Sequence, residues 1–322
     1  MNPVLVEVTR GGRAESAHRG AFAVVDGGGR VVRQAGDIDE AVFPRSAVKA
    51  LQALPLVASG AADLLGLTDA EIALACASHS GEPEHVATAR AMLAKAGRNE
   101  SCLECGAHWP YDARAARALA ALGGQAGPLH NNCSGKHAGF ICLACASGED
   151  PAGYVHPEHP TMRRVTESLA EMTGTILDAR NRGTDGCSIP TYAIPLRALA
   201  MAFARFGTAE GAAARIRRAV AANPFMVGGS DRFDTVLMTA LGARAFSKGG
   251  AEGVHCVALP ERGLGIAIKC DDGAGRAADL VCATLVAQLL DAEVPEALLR
   301  PELSNWNGIV VGGLRAAGPL AA

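Results

Sequence analysis

Alternating apolar and polar positions in PVLVEVT (residues 3–9) predict a strand at the start of the chain. The stretch GAFAVVDGGGRVVRQ (20–34) predicts a hairpin that turns at Asp26-Gly27-Gly28-Gly29. From Pro44 to Gly60 the apolar spacing becomes helical, with Pro55 expected to kink or end the helix. Thr68 and Glu71 have the spacing of a capping box ahead of IALACASHSG, a segment readable as strand or short helix. Helices are then predicted over 83–96, 112–122, 136–146, 160–173, 195–206, 209–222 and 231–241. Strand signals return in VHCVAL (254–259) and LGIAIKC (264–270), joined through Pro260-Glu261-Arg262-Gly263, and an amphipathic helix follows over about 275–290. Strands at both ends with helices between predict an α/β fold: an antiparallel sheet built from N- and C-terminal strands and covered by a mostly helical middle. With no repeat or low-complexity linker, residues 1–322 are read as a single domain.

Composition narrows the function classes. The chain is 49% hydrophobic with a net charge of −3, a globular balance without the basic excess of a nucleic-acid binder. No leader-like start and no apolar run of spanning length is found, so no membrane is expected and the cytoplasm is the expected compartment. The ten cysteines are then expected as thiols or metal ligands rather than a disulfide frame. The 30 basic residues comprise 25 Arg and only five Lys, at positions 49, 95, 136, 248 and 269. Only lysine can supply a neutral amine when buried, so a lysine among small and apolar residues suggests chemistry. Lys49, Lys136 and Lys269 have such surroundings, whereas Lys95 and Lys248 are read as solvated charges.

Three constellations follow. Ser46 and Lys49 in FPRSAVK lie three apart at a helix start, where a lysine of lowered pKa can take a serine proton. Read blandly, Ser46 is an N-cap. Ser78, where an apolar run breaks into HSG, and Lys269, at the end of an apolar strand, form a second pair; the alternative is a turn serine and an edge-strand lysine. Cys133 and Lys136 in NNCSGKHAGF, with Cys187 in GTDGCSIP, can hold a zinc ion with an open position, although buried structural thiols explain them as well. The pairs Cys102/Cys105 and Cys142/Cys145 are separated too widely for a four-cysteine zinc site, and the second lies in an apolar helix.

Taken in order from about Val4 to Gly273, FPRSAVK, CASHSGE, LECGAHWP, NNCSGKHAGF, GTDGCSIP and GIAIKCDDG resemble the asparaginase family typified by the Rhizobium etli enzyme, also called class 3. The resemblance implies an L-asparagine amidohydrolase with a serine β-lactamase- or glutaminase-like fold, working as a homodimer. It implies two Ser-Lys tandems, Ser46 with Lys49 and Ser78 with Lys269, and a zinc site at Cys133, Lys136 and Cys187. It further implies roles near substrate for Arg45, Asp185 and His137. Two rivals stay open: a glutaminase or other Ser-Lys amidase of the same build, and a non-catalytic zinc or thiol protein.

Overall fold

The computed structural model describes residues 1–321. Strands β1 (Val4–Arg10), β2 (Arg13–Asp26), β3 (Val31–Ala35) and the short β4 (Ala41–Val42) come first. They are followed by helices α1 (Lys49–Ala58), α2 (Ala61–Leu64), α3 (Asp69–Ala75), α4 (Pro83–Lys95), α5 (Ala113–Ala121), α6 (Ser134–Ala146) and α7 (Pro160–Thr173). Next come β5 (Arg182–Thr184), β6 (Pro190–Tyr192), β7 (Ile194–Pro195), α8 (Leu196–Thr208), α9 (Ala212–Ala222), α10 (Pro224–Gly228) and α11 (Phe233–Leu241). The chain closes with β8 (Phe246–Gly249), β9 (Val254–Leu259), β10 (Leu264–Cys270), α12 (Gly275–Leu290), α13 (Glu296–Leu299), β11 (Glu302–Ser304) and β12 (Val310–Ala316).

These elements form two compact units, one comprising residues 1–47, 193–208 and 236–322, the other 48–192 and 209–235. The first holds the main sheet, in the order β11-β12-β1-β2-β10-β9-β8 with β3 also paired to β2, every pairing antiparallel. The expected sheet from both ends of the chain is therefore present. Strand β9 is buried along its whole length, as a strand is when both faces of its sheet are covered. Helix α8 packs on β2, β9 and β10, and α12 on β9, β10, β1 and β12. Gly265 permits the first contact, since a Cβ there would lie 1.9 Å from Ala200 O.

The second unit is the predicted helical middle. Residues Ser134 to Ala144 of α6 are buried on every side, which makes it the central helix, with α1, α3, α4 and α7 against it. Gly135 and Gly139 let α3 come close: a Cβ at Gly135 would meet Leu74 O at 2.4 Å. The expected capping box is formed, with Thr68 and Glu71 bonded reciprocally at the start of α3. Pro55 does not end α1, which runs on to Ala58. A proline lacks the N–H that would reach the carbonyl four residues back, here Leu51 O, and Ser168 Oγ of α7 donates to that carbonyl instead at 3.3 Å. Among the described residues no helix is long and apolar enough to cross a membrane.

Candidate active site

Lys49 opens α1 directly after a 3-10 turn over Arg45–Val48. Its side chain is fully buried, and a buried ammonium needs acceptors. It has three: Ala77 O at 2.6 Å, Ser78 Oγ at 2.8 Å and Cys133 Sγ at 3.1 Å. Burial lowers the Lys49 pKa from its ordinary value, against the opposing pull of the Cys133 sulfur. The amine is thus closer to giving up its proton, and in neutral form it can accept the Ser78 hydroxyl proton.

Cys133 caps α6 and is held in its turn by Asn131, whose Oδ1 accepts the Cys133 N–H at 2.8 Å. Cys187 comes from the tight loop between β5 and β6, closed by Asp185 N–H to Ile189 O at 2.8 Å and Ser188 N–H to Asp185 O at 2.9 Å. Lys136 Nζ donates to Cys187 Sγ at 3.0 Å, and Asp185 Oδ2 lies 3.6 Å from the same sulfur. Interaction with the Cys187 sulfur holds the Cys133 pKa well below the usual thiol value, helped by the charges of Lys49 and Lys136, and the same interaction pushes Cys187 up. Burial alone would lower Lys136, but the sulfurs of Cys187 and Cys133 leave its pKa raised.

Two sulfurs and one amine, adjacent and buried, suit a thiophilic cation of the zinc type, provided that all three give up their protons on binding. Among the described residues no three His, Cys, Asp or Glu side chains converge on a possible metal position, so Lys136 has to be the third protein donor.

The remaining sequence candidates fall in several places. Arg45 and Ser46 belong to the sheet unit, and Arg45 is held at φ 50°, a left-handed conformation that costs a non-glycine residue about 1–3 kcal/mol and is a mark of functional turns. Lys269 donates to Glu252 O at 2.8 Å and Cys270 O at 2.5 Å, at the side of a polar cleft of about 370 Å³ also lined by Asn2, Asp37, Glu40 and Asp271. The hydroxyl bonded to Lys49 is that of Ser78, and the acceptors of Lys269 are backbone carbonyls. His137 is buried with Nδ1 on the Tyr154 hydroxyl at 2.6 Å, while its Nε2 has no hydrogen-bond partner.

Two lysines correct the sequence reading. Lys95 is not simply solvated: it donates to Glu71 Oε2 at 2.6 Å and Gly66 O at 2.8 Å. Lys248, also read as a solvated charge, is 1% exposed. It lies on β8, a four-residue strand that the sequence pattern did not reveal, opposite Cys256 of β9. Two residues on, Gly250 packs against the turn that holds Ser46, where a Cβ would lie 2.7 Å from Pro44 O and 3.1 Å from Ala47 N. The scarcity of lysine was the available signal, and it applied to Lys248 as much as to Lys49.

Comparison with known families decides the class of chemistry. The L-asparaginase II family model matches residues 6–316, nearly the whole chain. The chain belongs to the L-asparaginase II family. This bears out the resemblance seen in the motifs, and makes the protein an asparaginase-type amidohydrolase, a hydrolase of amide C–N bonds. No curated protein matches the sequence. Among solved structures, a protein described as Mglu in its native form overlaps 92% of this chain and 70% of its own, at 16% identity and a TM-score of 0.47. A β-lactamase from Mycobacterium bovis overlaps 84% of this chain and 94% of its own, at 14% identity and a TM-score of 0.35.

Proposed function

We propose that this amidohydrolase converts L-asparagine to L-aspartate and ammonia through a serine ester, with Lys49 as the base. The observation that carries the reading is the buried Lys49 amine, with a lowered pKa, bonded to Ser78 Oγ. Ser46 attacks the side-chain amide carbon and its proton passes to Lys49. Backbone N–H groups at the start of that helix stabilise the oxyanion. As the C–N bond breaks, the Ser78 hydroxyl gives a proton to the departing ammonia and regains one from the Lys49 ammonium. Water then cleaves the ester and frees Ser46.

A second lysine tunes the transfer at Ser78. The family resemblance suggests Lys269, and burial favours Lys248. Asp185, Arg45 and His137 orient substrate or water. Cys133, Lys136 and Cys187 would hold zinc, which when bound supplies a fixed positive charge beside the reacting groups. Homodimeric assembly belongs to the same reading.

The test is ammonia release from L-asparagine and L-glutamine, with intact-mass spectra of Ser46→Ala and Ser78→Ala taken during turnover. Asparagine is expected as the better substrate, with slowed ammonia release from the Ser78→Ala protein and no ester on the Ser46→Ala protein. An ester on Ser46→Ala would make Ser78 the nucleophile, and no release from either amide by zinc-supplied wild type would sink the proposal.

Zinc removal separates support from activation. After chelation, with loss of metal verified by mass spectrometry, turnover at saturating asparagine should persist, because the serine and lysine supply a nucleophile without a metal. A complete loss restored by zinc alone would show that the nucleophile depends on the ion.

A further inference from the structure

Residues 77–82, which carry Ser78, are buried throughout and belong to no helix or strand. Buried backbone groups need specific partners. Ala77 O accepts from Lys49 Nζ, Ser78 N–H donates to Val227 O, His79 N–H to Asn132 O, and Ser80 O accepts from Asp112 N–H. The last two N–H groups go to imidazoles: Gly81 N–H to His79 Nδ1 at 3.1 Å, and Glu82 N–H to His85 Nδ1 at 3.2 Å.

The roles at His79 are fixed by this pattern. Because Nδ1 accepts, the ring proton is on Nε2, which donates to Ser134 Oγ at 2.9 Å. Ser134 Oγ in turn donates to Leu129 O at 2.9 Å. The ring is also stacked, 4.9 Å from His85, which lies 4.6 Å from Phe225. Burial keeps the His79 pKa well below the ordinary imidazole value, which preserves the distinct acceptor and donor nitrogens. A second ring proton would point at the Gly81 N–H.

We infer that His79 is a positioning residue that fixes Ser78 against the first turn of α6, through Ser134, and so aligns the hydroxyl with Lys49 and Cys133. Ser134 is the first residue of α6, next to Cys133 and two before Lys136. One side chain thus joins the buried loop to the helix that brings the sulfur and the second amine. The inference rests on the reading of Ser78 as a proton relay.

Two amide substitutions separate the two nitrogens. His79→Gln places an amide near the Nε2 position and keeps a partner for Ser134, whereas His79→Asn places one near Nδ1 and keeps a partner for Gly81. In asparagine hydrolysis, His79→Gln is expected to retain kcat within about fivefold, and His79→Asn to lose about 30-fold, with KM little changed in both. Ser134→Ala should match the loss in His79→Asn, and the double variant should lose no more than either. The reverse ranking, additive losses, or effects confined to KM or thermal stability would overturn the inference. If neither histidine variant folds, an unchanged kcat in Ser134→Ala overturns it as well. A fully active Ser78→Ala would instead remove the relay reading itself, while an inactive Ser78→Ala beside an unaffected Ser134→Ala would remove only the role of His79.

Discussion

Lys49→Met is expected to lower kcat for ammonia release from L-asparagine by about a thousandfold, within the range that a positioned base contributes. Methionine fills nearly the same volume, so the core around α1 keeps its packing. The variant loses the bonds to Ala77 O, Ser78 Oγ and Cys133 Sγ. An orphaned buried carbonyl costs about 1–3 kcal/mol, and removal of a buried charge offsets part of that. Circular dichroism should therefore show a folded protein with a modestly lower melting temperature. A folded variant that keeps more than about a tenth of wild-type kcat would exclude Lys49 as the base.

Gly135→Ala is expected to destabilise the protein by about 2–3 kcal/mol, as overpacking of a close helix contact does. The added Cβ would sit 2.4 Å from both Leu74 Cγ and Leu74 O, and a backbone carbonyl cannot swing aside as a side chain can. Relief has to come from α3 and α6 moving apart. Because Gly135 lies between Ser134 and Lys136, activity should fall with stability. Gly275→Ala is the control: a Cβ there meets nothing within 4 Å, so the urea midpoint should stay near wild type. Equal midpoints for the two variants would show that the contact between α3 and α6 relaxes freely.

Long periodic elements were legible in the sequence. The helix expected over 275–290 and the strands at 254–259 and 264–270 have the bounds found in the structure, because each has enough turns or alternations to reveal its period. The short strands β5, β6, β8 and β11 did not stand out, because three or four residues give little period to read. Strand β12, VVGGLRA, is broken by two glycines and owes its form to a partner remote in sequence, β1. The ambiguity at IALACASHSG resolves into a helix that stops at Ala75 and a buried loop after it. The thiol and amine cluster was legible because its residue types are rare for their surroundings. The bond of Lys49 to Ser78 was not, because a spacing of 29 positions has no local signature.

The division of the sheet between the two ends of the chain bears on the order in which the protein can assemble during synthesis. Lys49, Ser78, Cys133, Lys136 and Cys187 all emerge from the ribosome before residue 190, and the helical unit needs nothing beyond residue 235. Strand β1 emerges before the other strands of its sheet, yet must wait for β12, more than 300 residues later in the chain, before both its edges are paired. Ser46 and Lys248 belong to that late-completing unit. A nascent chain can thus prepare its amine and thiols early while the unit holding the proposed nucleophile stays open until β12 has been made.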